Sequence, residues 1–205
     1  MNKNFSIFII LPYLTIIPGL YLFQNLWIAM VSYHTAILLI AVFGKNTHRF
    51  KTLVQGWSLK YSVLITFGCA INGFLIYYLW KFISPAGSDL SLKLAELGLN
   101  DSNWLLLILY YSLITPWLEE FYWRDLLPSK LKHPILSDLF FAGYHVFVLL
   151  LFIKPVFALV AFFTLFWGAN SWRKLATKLD GLLVPVISHT IADISTILAV
   201  YLLVH

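Results

Sequence analysis

The sequence predicts an all-α protein: a polytopic transmembrane helical bundle of about seven spans, with its N-terminus in the cytoplasm. Three observations carry this expectation. Hydrophobic residues make up 60% of the 205 positions and charged residues only 11%, whereas a soluble domain carries roughly 25% charge. The mean hydropathy is +0.83, and a chain this apolar has lipid as its solvent. The third observation is arrangement: apolar runs of about 20 residues, enough to cross a bilayer core as helices, alternate with short polar loops. No strand-like alternation of barrel length recurs, which argues against a β-barrel. The expected organisation is one membrane domain over 1–205.

The first span is Phe5–Phe23. Its start, with Lys3, resembles a signal peptide. No small-x-small site follows, and Pro12 and Pro18 interrupt the run, so it reads as a retained span. The second, Leu26–Phe43, ends at Lys45, Arg49 and Lys51. The third, Trp57–Ile83, leads into Asp89, Lys93, Glu96 and Asp101. The fourth, Trp104–Leu127, is followed by Lys130 and Lys132, and the fifth, Pro134–Ile153, by Lys154. The sixth, Pro155–Trp172, ends at Arg173, Lys174 and Lys178 before the seventh, Leu182–Val204. Seven crossings put the three basic loops on one side with Lys3. The positive-inside rule makes that side cytoplasmic and places the C-terminus outside. The net charge of +5 then meets lipid headgroups rather than nucleic acid. Trp57, Trp80, Trp104 and Trp172 sit at span ends and read as interfacial anchors. The one cysteine, Cys69, forms no internal disulfide and reads as a small buried hydrophobe.

A charge inside a membrane costs at least ~2.5 kcal/mol on insertion scales. Ionisable residues within the spans therefore carry information. They are Glu119, Glu120 and Arg124 in span four, His145 in span five, and His189 with Asp193 in span seven, with His34 a lone case in span two. At 1.5 Å per residue, Glu119 lies roughly 12 Å, His145 roughly 16 Å and His189 roughly 10 Å from the cytoplasmic helix ends. Three helices thus bring a carboxylate and two imidazoles to a similar depth, as a shared buried site requires. Glu120 and Arg124 are i,i+4 and can pair. His189 and Asp193 share that spacing, so Asp193 can hold one ring nitrogen and fix the tautomer. Phe141 and His145 share a face. Glu119 is left without a local partner, which suits a general base.

These residues form three motifs: Glu119-Glu120-Phe121-Tyr122-Trp123-Arg124 (EExxxR), Phe141-Ala142-Gly143-Tyr144-His145 (FxxxH) and His189-Thr190-Ile191-Ala192-Asp193 (HxxxD). In this order, on successive helices, they resemble the motifs of the CPBP family. That family holds the type II CAAX prenyl endopeptidases and the bacterial Abi proteins linked to bacteriocin processing and self-immunity. The resemblance covers about residues 104–200. It implies an intramembrane glutamic endopeptidase without cofactor or metal. Glu119 and His145 would activate a water, Glu120 and Arg124 would support the site, and His189 with Asp193 would polarise the scissile carbonyl and stabilise the oxyanion. Two positions depart from the family pattern. Asp125 stands where Gly commonly follows the Arg, adding a charge beside the site. Asp193 stands where the eukaryotic prenyl proteases have Asn, though Asp also occurs there in bacterial relatives. An ionised Asp cannot donate to an oxyanion, so Asp193 is expected to orient His189 and leave donation to it.

The expected substrate is a membrane-anchored peptide or protein, reached from the cytoplasmic half of the bilayer, and the expected location a bacterial inner membrane. Three rival readings stay open. Glu119, Glu120, His145 and His189 are N/O donors that suit a metalloprotease, although HExxH is absent and Arg124 would repel a cation. Buried Glu and His relays also occur in proton-coupled transporters, although no repeat is present. The third is a non-catalytic immunity or scaffold protein that keeps the fold.

Overall fold

The computed structural model describes residues 8–127 and 136–205, and all regular structure among them is helical. Helix α1 (Leu11–Tyr21) is followed by α2 (Leu26–Phe43), a 3-10 segment at Thr47–Val54 and α3 (Leu59–Ile83). Short α4 (Leu90–Glu96) and a 3-10 turn (Asp101–Asn103) lead into α5 (Trp104–Leu113), α6 (Thr115–Glu120) and a π-helical turn (Phe121–Leu126). Then come α7 (Leu136–Leu149), α8 (Pro155–Leu179) and α9 (Leu183–Val204). Four of these helices, α2, α3, α8 and α9, are long and apolar enough to cross a membrane. The exposed face of α3 carries Val63, Leu64, Phe67 and Phe74, as a lipid-facing helix does.

The expected fourth span is not one helix. Pro116 has no N–H to give the carbonyl four residues back, and its ring crowds that carbonyl, so α5 ends at Leu113 and α6 restarts at Thr115. Past Glu120 the ladder widens to i→i+5, with the Leu127 amide donating to the Tyr122 carbonyl at 3.0 Å. The expected sixth span is longer than the sequence suggested. Helix α8 runs on to Leu179 and carries Arg173 and Lys174 within it. Of the residues used to set topology, Lys3, Lys130 and Lys132 lie outside the described residues, as do the starts of the first and fifth expected spans.

Helix α9 is the centre of the bundle, packed against α3, α5, α6 and α8, while α1 packs on α2 and α7, and α7 on α8. The contact of α3 with α9 is close because residue 73 is glycine: a Cβ there would lie 2.0 Å from the Ser195 carbonyl oxygen. Ser195 Oγ donates to the Cys69 carbonyl, and Asn72 donates to Thr196 Oγ1 at 2.8 Å. At one end of the bundle the 3-10 segment after α2 meets the start of α9, with the Leu182 and Leu183 amides donating to the Thr52 and Gln55 carbonyls. At the other end the Leu26 amide donates to the Leu97 carbonyl. Trp104 and Trp172, expected at the membrane interface, are buried, whereas Trp57 is exposed.

Candidate active site

The kink at Pro116 and the π turn frame Glu119 and Glu120, and the irregularity matters. Consecutive residues of a regular helix point about 100° apart. Here Glu119 is 2% and Glu120 0% exposed, and both reach the same imidazole on α9. His189 Nδ1 bonds Glu120 Oε1 at 2.8 Å. A carboxylate only accepts, so Nδ1 carries the hydrogen. The opposite nitrogen, Nε2, faces Glu119 Oε2 at 3.9 Å and Asp193 Oδ1 at 3.7 Å. Behind Glu120 lies Arg124, its Nε 3.3 Å from Glu120 Oε2. The ring of His189 stacks on Trp172 at 4.6 Å between centroids, and Phe141 meets it edge-on. The Arg124 guanidinium covers Phe141 at 4.4 Å and Trp172 at 5.3 Å. A cation over these ring faces is attracted by their quadrupoles.

On the other side of Glu119 stands α7. The Tyr144 hydroxyl donates to Glu119 Oε1 and lies 3.1 Å from His145 Nε2. His145 Nδ1 bonds the Phe141 carbonyl at 2.7 Å, so Nδ1 bears the hydrogen and Nε2 is free to accept. Glu119 Oε2 and Asp193 Oδ2 are buried without a hydrogen-bond partner among the described residues. Glu119 Oε2 is the oxygen that faces His189 Nε2, and a buried acceptor gains ~1–3 kcal/mol when a donor satisfies it.

The six residues expected at the site are therefore grouped on four elements, α6, the π turn, α7 and α9. Two expected relationships need correction. Asp193 does not hold His189 in its tautomer: at 3.7 Å it is beyond hydrogen-bond range, and Glu120, from another helix, takes that role on Nδ1. Asp125 does not turn toward the site. It pairs with Arg49 and accepts from Thr52 Oγ1 at 3.0 Å, which ties the π turn to the 3-10 segment after α2. His34 stays apart, bonded to the Tyr110 hydroxyl at 2.8 Å. Ser188 donates to the Val184 and Pro185 carbonyls of its own helix.

Sequence reasoning did not single out Tyr144, whose position beside His145 was the only signal, nor Trp172, which it assigned to the interface. It also passed over Asp138 on α7. Asp138 is 3% exposed and pairs with Arg173 of α8 at 3.0 Å, while Arg173 donates to Asn170 Oδ1 at 2.8 Å. Among the described residues, no set of three or more His, Cys, Asp or Glu side chains is arranged to hold a metal ion.

Residues 101–195 match the sequence profile of the family described as type II CAAX prenyl endopeptidase, Rce1-like. The matched stretch covers a little under half of the chain. It starts at the 3-10 turn before α5, ends within α9 and contains all three motifs, and it bears out the family resemblance drawn from them. No curated protein and no solved structure matches the chain.

Proposed function

We propose that this protein is an intramembrane endopeptidase that hydrolyses a peptide bond in a membrane-anchored, CAAX-like substrate with a water activated by Glu119. The observation that carries this reading is a buried His189 whose Nδ1 is bonded to Glu120 at 2.8 Å while its Nε2 faces Glu119 and Asp193 at 3.9 and 3.7 Å. Glu120, backed by Arg124, fixes the ring through Nδ1. Nε2 then aims at the space that Glu119 Oε2 and Asp193 border. Doubly protonated, His189 gives one hydrogen to Glu120 and the other to the carbonyl oxygen of the substrate.

Glu119 takes a proton from water as the water oxygen attacks the carbonyl carbon. His189 stabilises the oxyanion, with Asp193 at the same edge of the ring. The C–N bond then breaks, and Glu119 returns the proton to the leaving amine. His145 supports Glu119 from α7. The whole chain acts as one membrane domain, with residues 104–200 as its catalytic core. Seven passes with the N-terminus in the cytoplasm open the site to substrates in the cytoplasmic half of a bacterial inner membrane. Lys45 and Lys51 after α2 and Lys178 in the last turn of α8 support that orientation.

The test is cleavage of membrane-anchored peptide reporters by purified protein, with and without a strong chelator. Cleavage that survives the chelator and disappears in Glu119→Gln is expected. Cleavage that stops with the chelator and returns with zinc would replace this reading by the metalloprotease.

A further inference from the structure

The hydroxyl of Tyr144 occupies the place between Glu119 and His145. It touches Glu119 Oε1 on one side and lies 3.1 Å from His145 Nε2 on the other. A tyrosine hydroxyl has one hydrogen to give, and both neighbours are acceptors. His145 is an acceptor there because its Nδ1 hydrogen is committed to the Phe141 carbonyl at 2.7 Å. The ring of Tyr144 is held firmly: it is 3% exposed, parallel to Trp123 at 6.0 Å and packed on Phe141. Only the hydroxyl hydrogen has freedom to turn.

We infer that Tyr144 is a positioning residue, a two-position hydrogen-bond donor that governs Glu119. This rests on the proposed role of Glu119 as base. In the resting state the hydroxyl donates to Oε1. That bond occupies one carboxylate oxygen and leaves Oε2, on the His189 side, as the oxygen that receives the water's proton. Once Glu119 is protonated, the hydroxyl turns to His145 Nε2 without losing its hydrogen. No covalent bond forms or breaks at Tyr144. His145 serves as the second resting place of its hydrogen, which accounts for a histidine that reaches Glu119 through a tyrosine.

The experiment compares wild type, Tyr144→Phe and Tyr13→Phe by reporter kinetics and by infrared spectroscopy in bilayers. The Glu119 carboxyl band is identified by its loss in Glu119→Gln. Tyr13 is the control because its hydroxyl donates to the Phe140 carbonyl at 2.8 Å and anchors α7 without touching Glu119. Tyr144→Phe is expected to lower kcat at least tenfold with KM unchanged and to move the Glu119 band. Tyr13→Phe is expected to leave the band in place. An unmoved band in Tyr144→Phe, or kcat equal to wild type, overturns the inference. If Tyr144→Phe does not fold, 3-fluorotyrosine placed at 144 alone keeps the ring and changes the donor, and an unmoved band then overturns it. If wild type cuts no reporter, the proteolytic reading fails, and the infrared comparison still decides whether Tyr144 governs Glu119.

Discussion

Two arginines are buried in this bundle, and they are buried differently. Arg173 of α8 is matched by Asp138 of α7 and by Asn170 one turn back on its own helix. Among the described residues, donors and acceptors there meet within two adjacent helices, one guanidinium against one carboxylate. Arg124 instead belongs to a group that, among the described residues, has a surplus of acid. Glu119, Glu120 and Asp193 face one guanidinium and one imidazole across three elements. Three of their oxygens, Glu119 Oε2, Glu120 Oε2 and Asp193 Oδ2, are buried with no hydrogen-bond partner among the described residues, and of these Glu120 Oε2 faces Arg124 Nε at 3.3 Å. A balanced buried pair locks helices together. An unbalanced one holds polar capacity in reserve for a reactant, at a cost in stability that the fold carries elsewhere.

The largest effect should come from removing the surplus. Glu119→Gln keeps the shape and deletes the proposed base, so reporter cleavage should fall on the order of 10³-fold or more. Thermal stability in detergent should stay level or rise, since a buried acidic surplus is relieved. A variant that keeps wild-type turnover would place the acid–base chemistry elsewhere.

The balanced pair should respond in the opposite sense. Asp138→Leu alone takes the carboxylate away from a buried guanidinium that keeps its bond to Asn170 Oδ1, and breaking such a pair costs ~3–5 kcal/mol. Turnover per folded molecule should change little. The double variant Asp138→Leu, Arg173→Leu should recover most of the loss, measured by unfolding in a denaturing detergent. A double variant no more stable than the single one would show that Arg173 has a role beyond this pair.

Glu120 belongs to both classes, because it neutralises Arg124 and orients His189. Glu120→Gln keeps an acceptor for Nδ1 but loses the charge that makes the bond strong. Hydrogen bonds to charged groups contribute ~1.5–3 kcal/mol, so kcat should drop by roughly 10–100-fold, with a stability loss beside it. Loss of stability alone would leave Glu120 a partner of Arg124 and nothing more.

How much of this was legible beforehand follows from what each residue costs in a membrane. Glu119, Glu120, Arg124, His145, His189 and Asp193 stood out because charges and imidazoles are rare in apolar runs, and their depths could be counted along the helices. Their pairing was not legible. The i,i+4 spacing offered Asp193 to His189, but Glu120 reaches Nδ1 from α6, and a partner on another helix leaves no signature in the spacing. Arg173 was hidden by its neighbours: beside Lys174 and before Lys178 it looked like a loop charge, and only the helical continuation of α8 turns it inward with Ala169 and Trp172. The aromatic residues were least legible. With 18% aromatic residues in the chain, nothing distinguishes a tyrosine that binds a carboxylate from one that meets lipid.

Trp172 gives the smallest and most discriminating test of the contrast, because it adjoins the balanced pair in sequence and the unbalanced group in space. Its indole lies flat against His189 at 4.6 Å and beneath Arg124 at 5.3 Å. Trp172→Leu keeps apolar bulk and removes the face on which the imidazole rests. An aromatic contact of this kind contributes ~0.5–1.5 kcal/mol beyond its buried area, so kcat should fall roughly two- to tenfold. KM should hold, because Trp172 orients His189 rather than the substrate. The Asp138–Arg173 pair should be untouched, and a double-mutant cycle with Asp138→Leu should be additive in stability. Coupling between the two would mean that the pair sets the rotation of α8 and, through Trp172, the orientation of His189.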